Sequence, residues 1–295
     1  MPSTGSPITG RAAARPSEVT SVPGELHYLS RESSVLRRFT APGASVNTGV
    51  YESHTVPIRN GRPLQDTFRM DVHGFEIVRH RSAVTDFTDK AEVDAVYLTE
   101  VIEFIKARTG ADEVASRGFV LRRSAAPGDH ASQPQAALVH IDYGPEGAEL
   151  SAARAYADQF PDGPGYRRAL ATSVWRVFSP PPQDWPLALC DFRSVREEEG
   201  LPNQLYFVDR VPDDPMTEVV DESKMITSGS EFHYSPDHEW WYFPDMTRDE
   251  LLFFVFNDSD HSHAWRVVHT AFRDPTVETA VPRHSIEIRT FAFFR

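Results

Sequence analysis

The spacing of apolar runs constrains this chain more than any other feature. Short stretches rich in Val, Ile, Phe, Tyr and Trp recur at 118–122, 136–142, 169–178, 204–208, 239–243, 251–257, 265–272 and 285–294. Clusters of Pro, Gly and Asp separate them, as at 179–186 and 209–215. β-branched and aromatic side chains pack well on a pleated surface, and the intervening breakers reverse the chain, so the runs read as antiparallel strands. Helical spacing is confined to 91–109, where Val96, Val101, Ile102 and Ile105 share a face ahead of Gly110, and to 148–160. Strands and helices do not alternate. The expected class is therefore mainly β, a double-stranded β-helix or jelly roll with flanking α-helices.

No repeat and no long linker divides the chain after residue 25. The expectation is a single domain over 25–295, preceded by a flexible leader at 1–24 that lacks the apolar core of a secretory signal. Its net charge of −13 argues against nucleic acid and anionic membranes, because such partners are held by clustered Lys and Arg. No stretch approaches the roughly 20 apolar residues that span a bilayer. The single cysteine, Cys190, excludes an internal disulfide framework and a Cys-rich zinc site, and reads as a small core residue. These features together predict a cytoplasmic protein.

Chemistry concentrates at 137–148, where an apolar strand runs into His140-Ile141-Asp142. Alternate residues of a strand face one side, so His140 and Asp142 point together while Ile141 packs the other way. An imidazole beside a carboxylate is two thirds of the facial triad that binds iron(II) and leaves adjacent positions open. Alone, His-x-Asp is weak evidence. A further histidine, His269, lies in the apolar run 265–272, and fourteen residues later Arg283 and Ser285 share a face of the next run. An arginine can hold a distal carboxylate through a bidentate fork, with the serine hydroxyl donating to the same group.

A His-x-Asp, a distal His and then Arg-x-Ser, in that order, resembles the pattern of iron(II)/2-oxoglutarate oxygenases. Within them the chain is similar to the group containing gibberellin desaturase, the cephem methoxylation oxygenase and the AsaB-type hydroxylases. The resemblance rests on 139–148, 174–191, 234–260, 267–275 and 281–289, covering 117–290 well and the first hundred residues poorly. It implies that His140, Asp142 and His269 are iron ligands, and that Arg283 and Ser285 bind the C5 carboxylate of 2-oxoglutarate. O2 would be the other co-substrate and a small metabolite the substrate. Hydroxylation, desaturation or oxidative cyclisation in secondary metabolism is the implied activity. The alternative is a non-catalytic jelly roll that binds small molecules or serves as an accessory protein; a carbohydrate-binding sandwich would leave the His/Asp/Arg combination unexplained. The sequence departs from the family where Ser173-Val174-Trp175-Arg176 stands in place of Asn-x-Trp-Arg-Pro, which leaves the role of Ser173 open.

Other polar residues have plainer readings. His261 and His263 sit in a polar run expected to be a solvated loop, and His238 precedes the aromatic run 240–243 as part of a turn. Arg176 and Arg289 suit either structural ion pairs or carboxylate binding. The segment 124–135 is expected to be a mobile surface loop, placed where it can act as a lid.

Overall fold

Fifteen strands organise the computed structural model, which describes residues 19–123 and 135–295. In chain order they are β1 (Ser21–Leu29), β2 (Leu36–Ala41), β3 (Ala44–Asn47), β4 (Tyr51–Asn60), β5 (Phe75–Arg79), β6 (Glu113–Arg123), β7 (His140–Ile141), β8 (Arg168–Val177), β9 (Leu187–Cys190), β10 (Gly200–Phe207), β11 (Met225–Phe232), β12 (Trp240–Tyr242), β13 (Glu250–Asp258), β14 (His269–Ala271) and β15 (His284–Phe294). Ten form a sheet in the order β1-β4-β12-β9-β14-β7-β11-β10-β2-β3, and five form a second in the order β5-β13-β8-β15-β6. The two sheets make the expected jelly roll.

Between the sheets lies a core that includes Trp175, Leu189, Trp241, Phe254, Phe256 and Phe291. Each such side chain contributes about 1.5–3 kcal/mol on leaving water. The outer face of the smaller sheet is covered by helix α2 (Leu98–Thr109), which continues from a short turn α1 (Lys90–Glu92) through a π-helical turn (Val93–Tyr97). Val101 and Ile105 of α2 join Phe253, Ile286 and Ile288 in a second cluster. The helix stops at Gly110, whose φ of 72° is left-handed, a conformation that glycine adopts without a Cβ penalty. The larger sheet curls back on itself, because β1 also bridges from His27 to Leu138 beside β7. Leu26, Tyr28, Ile141, Cys190 and Trp240 fill the third cluster enclosed there.

Helix α3 (Pro145–Gln159) follows the His-x-Asp segment directly. Proline suits its first turn, where a missing N–H costs nothing. Gly147 brings the helix hard against β11: a Cβ there would stand 2.0 Å from the Ser228 carbonyl oxygen. Ala148, Ala152 and Ala155 can consequently sit in the central core.

Several expectations are corrected. The first eighty residues, in which no strand was anticipated, supply β1 to β5, and β9 and β11 were likewise not anticipated. Their burial patterns are mixed, so the period-two signal is faint: in β4 only Val56 and Ile58 are buried, and the rest are half-buried or exposed. The boundary of the leader moves as well, because β1 starts at Ser21 and pairs along its length with β4, while Val22 packs on the third cluster. Conversely, the runs 136–142 and 265–272 shrink to two and three residues of regular strand. The helix expected at 148–160 begins at Pro145. Residues 1–18 of the expected leader, and 124–134 of the expected lid, lie outside the described residues. Among the described residues no helix is long and apolar enough to cross a membrane.

Candidate active site

Backbone pairing brings the three sequence-predicted ligands together. His140 pairs across β7 and β14 with His269, and across β11 with Glu231, so two histidines 129 positions apart become cross-strand neighbours. Their rings lie 4.5 Å apart between centroids. Asp142 is the next same-side residue after His140, and its Oδ2 lies 3.6 Å from His269 Nε2. One ligand atom from each of His140, Asp142 and His269 falls within 4.8 Å of the others.

The second nitrogen of each ring explains the orientation. His140 Nδ1 lies 2.6 Å from the Leu138 carbonyl and His269 Nδ1 3.1 Å from that of Val267. A carbonyl only accepts, so each Nδ1 donates, which leaves Nε2 as the ring nitrogen available to a ligand, and that of His269 faces the Asp142 carboxylate. Burial, together with the neighbouring His269 ring, pushes His140 down to about 4, which keeps it an uncharged ligand at neutral pH. For Asp142, burial acts to raise the carboxyl, but the Arg289 guanidinium and the two rings outweigh it and hold it well below the usual carboxylate range. Two imidazoles and one carboxylate on one side fit iron(II) and leave the opposite side open.

Arg289 forms an ion pair with Asp142 Oδ1 at 3.1 Å and donates to Glu287 Oε2 at 3.1 Å, and Glu287 in turn accepts from the Ser173 hydroxyl at 2.8 Å. This chain leaves Asp142 Oδ2 on the side of the rings. Glu287 and Arg289 continue the period-two series Arg283, Ser285, Glu287, Arg289 along β15. Arg289 makes an ion pair, one of the two roles the sequence left open for it, whereas Glu287 carried no sequence signal of its own. Ser173 meets Glu287 only through the register of β8 against β15, which a single sequence does not contain.

A small cavity of about 20 Å³ joins the triad to Arg283, walled by Trp175, Leu187, Phe254, Glu287 and Arg122. The Arg283 guanidinium is fully buried and donates to the Trp185 carbonyl at 2.6 Å and to Gln135 Oε1 at 3.1 Å, while its Nε has no partner. Burial and the Arg122 cation push Arg283 down to about 9, so it stays charged near neutral pH in surroundings that would favour an incoming anion. Ser285 is buried two residues along, opposite Arg122, but its side chain does not form part of the cavity wall. Arg122 escaped the sequence reading because its place opposite Ser285 depends on strand register.

The remaining candidates are structural. Arg176 is buried against Tyr97 and the His80 carbonyl, away from the triad. His238 links Tyr28 to Glu199, and His263 contacts Asp258 while His261 stacks on Trp265. Cys190 is a buried core residue.

A jelly roll carrying this triad, with a buried arginine beyond it, defines a class, the iron(II)- and 2-oxoglutarate-dependent dioxygenases. A family model described as an oxidoreductase/YMDC permease-like domain matches residues 26–293. The hydroxylase/desaturase CTB9 of Cercospora beticola is 34% identical over 268 residues, covering 83% of this chain and 78% of that protein. The alpha-ketoglutarate-dependent dioxygenase phiK of a fungal species is 30% identical, covering 77% and 80%. Among solved structures, the iron and alpha-ketoglutarate-dependent endoperoxidase NvfI superposes with a TM-score of 0.77 at 25% identity, over 93% of this chain and 98% of that one. The chain belongs to this family of oxidoreductases, the AsaB-type hydroxylases and desaturases, and is an iron(II)/2-oxoglutarate-dependent dioxygenase acting on a small molecule.

Proposed function

We propose that His140, Asp142 and His269 hold the iron(II), and that Arg283, with Ser285 beside it, receives the C5 carboxylate of 2-oxoglutarate. The observation that carries this reading is the pair of imidazoles locked by their own strand carbonyls, with one ligand atom of each ring and of the Asp142 carboxylate within 4.8 Å of one another. When bound, the metal supplies the chemistry of the class, oxidation of a substrate C–H bond by O2 coupled to conversion of 2-oxoglutarate into succinate and CO2.

The chain's own residues do the positioning. Gln135 Oε1 stands on the Arg283 fork where a carboxylate oxygen would sit, so co-substrate entry displaces a neutral amide and gives the buried cation an anionic partner. Arg289 fixes the Asp142 carboxylate, and Trp175 and Phe254 exclude water from the path between triad and arginine. The relatives are named hydroxylases, desaturases, dioxygenases and an endoperoxidase, and we infer an oxidation of that range on a secondary metabolite. The same proposal covers a single domain that takes in β1 from Ser21, acting in the cytoplasm on small molecules, with a net charge that disfavours polyanionic partners.

Succinate release measured with and without added iron(II) tests the assignment. Wild type should require both the metal and 2-oxoglutarate, and His140→Ala and His269→Ala should release none. Full turnover in either variant removes that residue from the triad. A binding or accessory protein would release no succinate in any form.

A further inference from the structure

Along β15 the inward side chains run from Arg283 through Glu287 and Arg289 to Phe291. Arg283 and Glu287 border the small cavity beside the triad, whereas Phe291 borders a separate one of about 330 Å³. On β8 the same order holds, with Trp175 on the first cavity and Ala171 on the second. Ser173 pairs with Arg289 between them, at the level where Arg289 grips Asp142. The larger cavity thus lies across the triad from the arginine. One aromatic layer intervenes: Phe256 is 5.7 Å from His269 and 5.6 Å from Tyr143, and Tyr143 is 5.3 Å from Phe291, between ring centroids.

Its floor is small and apolar, from Ala148 and Ala152 of α3 and Ala171 of β8. One polar side chain in its wall stands out. Asn257 is buried, at 5% exposure, and its Nδ2 has no hydrogen-bond partner. Strict alternation from Phe254 would turn residue 257 away from the interior. A bulge between Val255 and Asn257 inserts one extra residue instead, so that Asn257 pairs with inward-facing Ala171. Bulges re-aim side chains in this way and gather near functional sites. An unpaired buried donor is unfavourable, and native proteins hold few of them without a reason.

We propose that this cavity receives the organic substrate and that the Asn257 amide donates a hydrogen bond to one of its oxygens. The substrate class is a predominantly apolar small molecule bearing a carbonyl or hydroxyl on the face turned to β13. Its volume falls in the range of pockets for such ligands. This inference rests on the iron assignment above for its relation to the reaction, but the recognition by Asn257 stands on the cavity itself. A third cavity, of about 320 Å³, offers no comparable group, since its Arg108 and Arg168 are already paired with Glu76 and Asp258.

The test uses two matched probe pairs, α-tetralone against tetralin and camphor against bornane, with binding to the full chain followed by saturation-transfer NMR. In each pair wild type should bind the ketone about 3- to 10-fold more tightly, the range of one neutral hydrogen bond. Asn257→Leu, close in shape, should bring the ratio to about one without lowering the melting temperature, because it removes an unpaired amide. Ala152→Phe should weaken all four probes by filling the floor. Mn(II) at the triad should broaden the ketone signals in wild type. Binding with no broadening counts against the iron assignment and leaves Asn257 recognition standing. No ketone preference in wild type, or a preference unchanged in Asn257→Leu, overturns the proposal, and a lowered melting temperature with the preference kept would make the amide structural.

Discussion

Replacing Arg283 by lysine separates the geometry of the proposed co-substrate pocket from its charge. The guanidinium now directs two N–H groups, one to the Trp185 carbonyl and one to Gln135, and a carboxylate displacing Gln135 would be held on the same rigid fork. Lysine keeps the charge but offers a flexible point donor. Loss of one charge-assisted hydrogen bond costs about 1.5–3 kcal/mol, which at about 1.4 kcal/mol per decade is roughly a 10- to 100-fold rise in the 2-oxoglutarate concentration for half-maximal succinate release. Iron affinity, measured anaerobically by equilibrium dialysis, should change less than threefold, since Arg283 borders the cavity without touching Asp142. Arg283 also lies 5.3 Å over the Trp175 ring, so the melting temperature of the variant must be recorded alongside. An unchanged 2-oxoglutarate requirement in a folded Arg283→Lys protein would refute the reasoning and point to Arg122, the neighbouring cation.

Three further perturbations probe the scaffold. Gly147→Ala drives a methyl into the Ser228 backbone and should lift α3 off β11, destabilising the protein by about 1–3 kcal/mol and weakening iron binding through Asp142; thermal denaturation and metal titration read both. Burial alone would raise the Glu250 carboxyl, yet the Arg62 guanidinium and the Thr247 amide hold it below its ordinary 4.5. Its contribution is therefore present above about pH 4.5 and lost as pH falls toward the folded value, so Glu250→Gln should cost about 1 kcal/mol at pH 7 and flatten the acid decline of stability below 4.5 in denaturant melts. Asp142→Glu keeps the charge but moves it by one methylene, and should abolish succinate release while leaving the melting temperature of the metal-free protein within a few degrees.

The jelly roll was legible where a strand is dense in apolar residues, as in β8, β13 and β15, whose outward Val174, Phe253, Ile286 and Ile288 pack with Val101 and Ile105 of α2. It was not legible in β1 to β5, where half-buried residues such as Arg37, Thr40 and His54 break the alternation. The grouping of the three metal-binding candidates was readable in part because its chemistry is local: His140 and Asp142 are two apart in one apolar run, and His269 stands inside another. Groups that act across strands were not. Arg122 reaches the arginine pocket through the β6–β15 pairing, Glu287 meets Ser173 through β8, and Asn257 turns inward only because of a bulge. The bulge itself leaves no mark in a run as uniformly apolar as 251–256. Gln135, next to Arg283, lay inside a segment read as surface loop.

The most direct test of the central claim is an anaerobic titration of the purified protein with iron(II) and 2-oxoglutarate, followed by visible absorption. One equivalent of iron should give the metal-to-ligand charge-transfer band only after 2-oxoglutarate is added, in wild type but not in His140→Ala, Asp142→Ala or His269→Ala. A band of full intensity in any one of these variants, or none in wild type, would contradict the assignment of the triad.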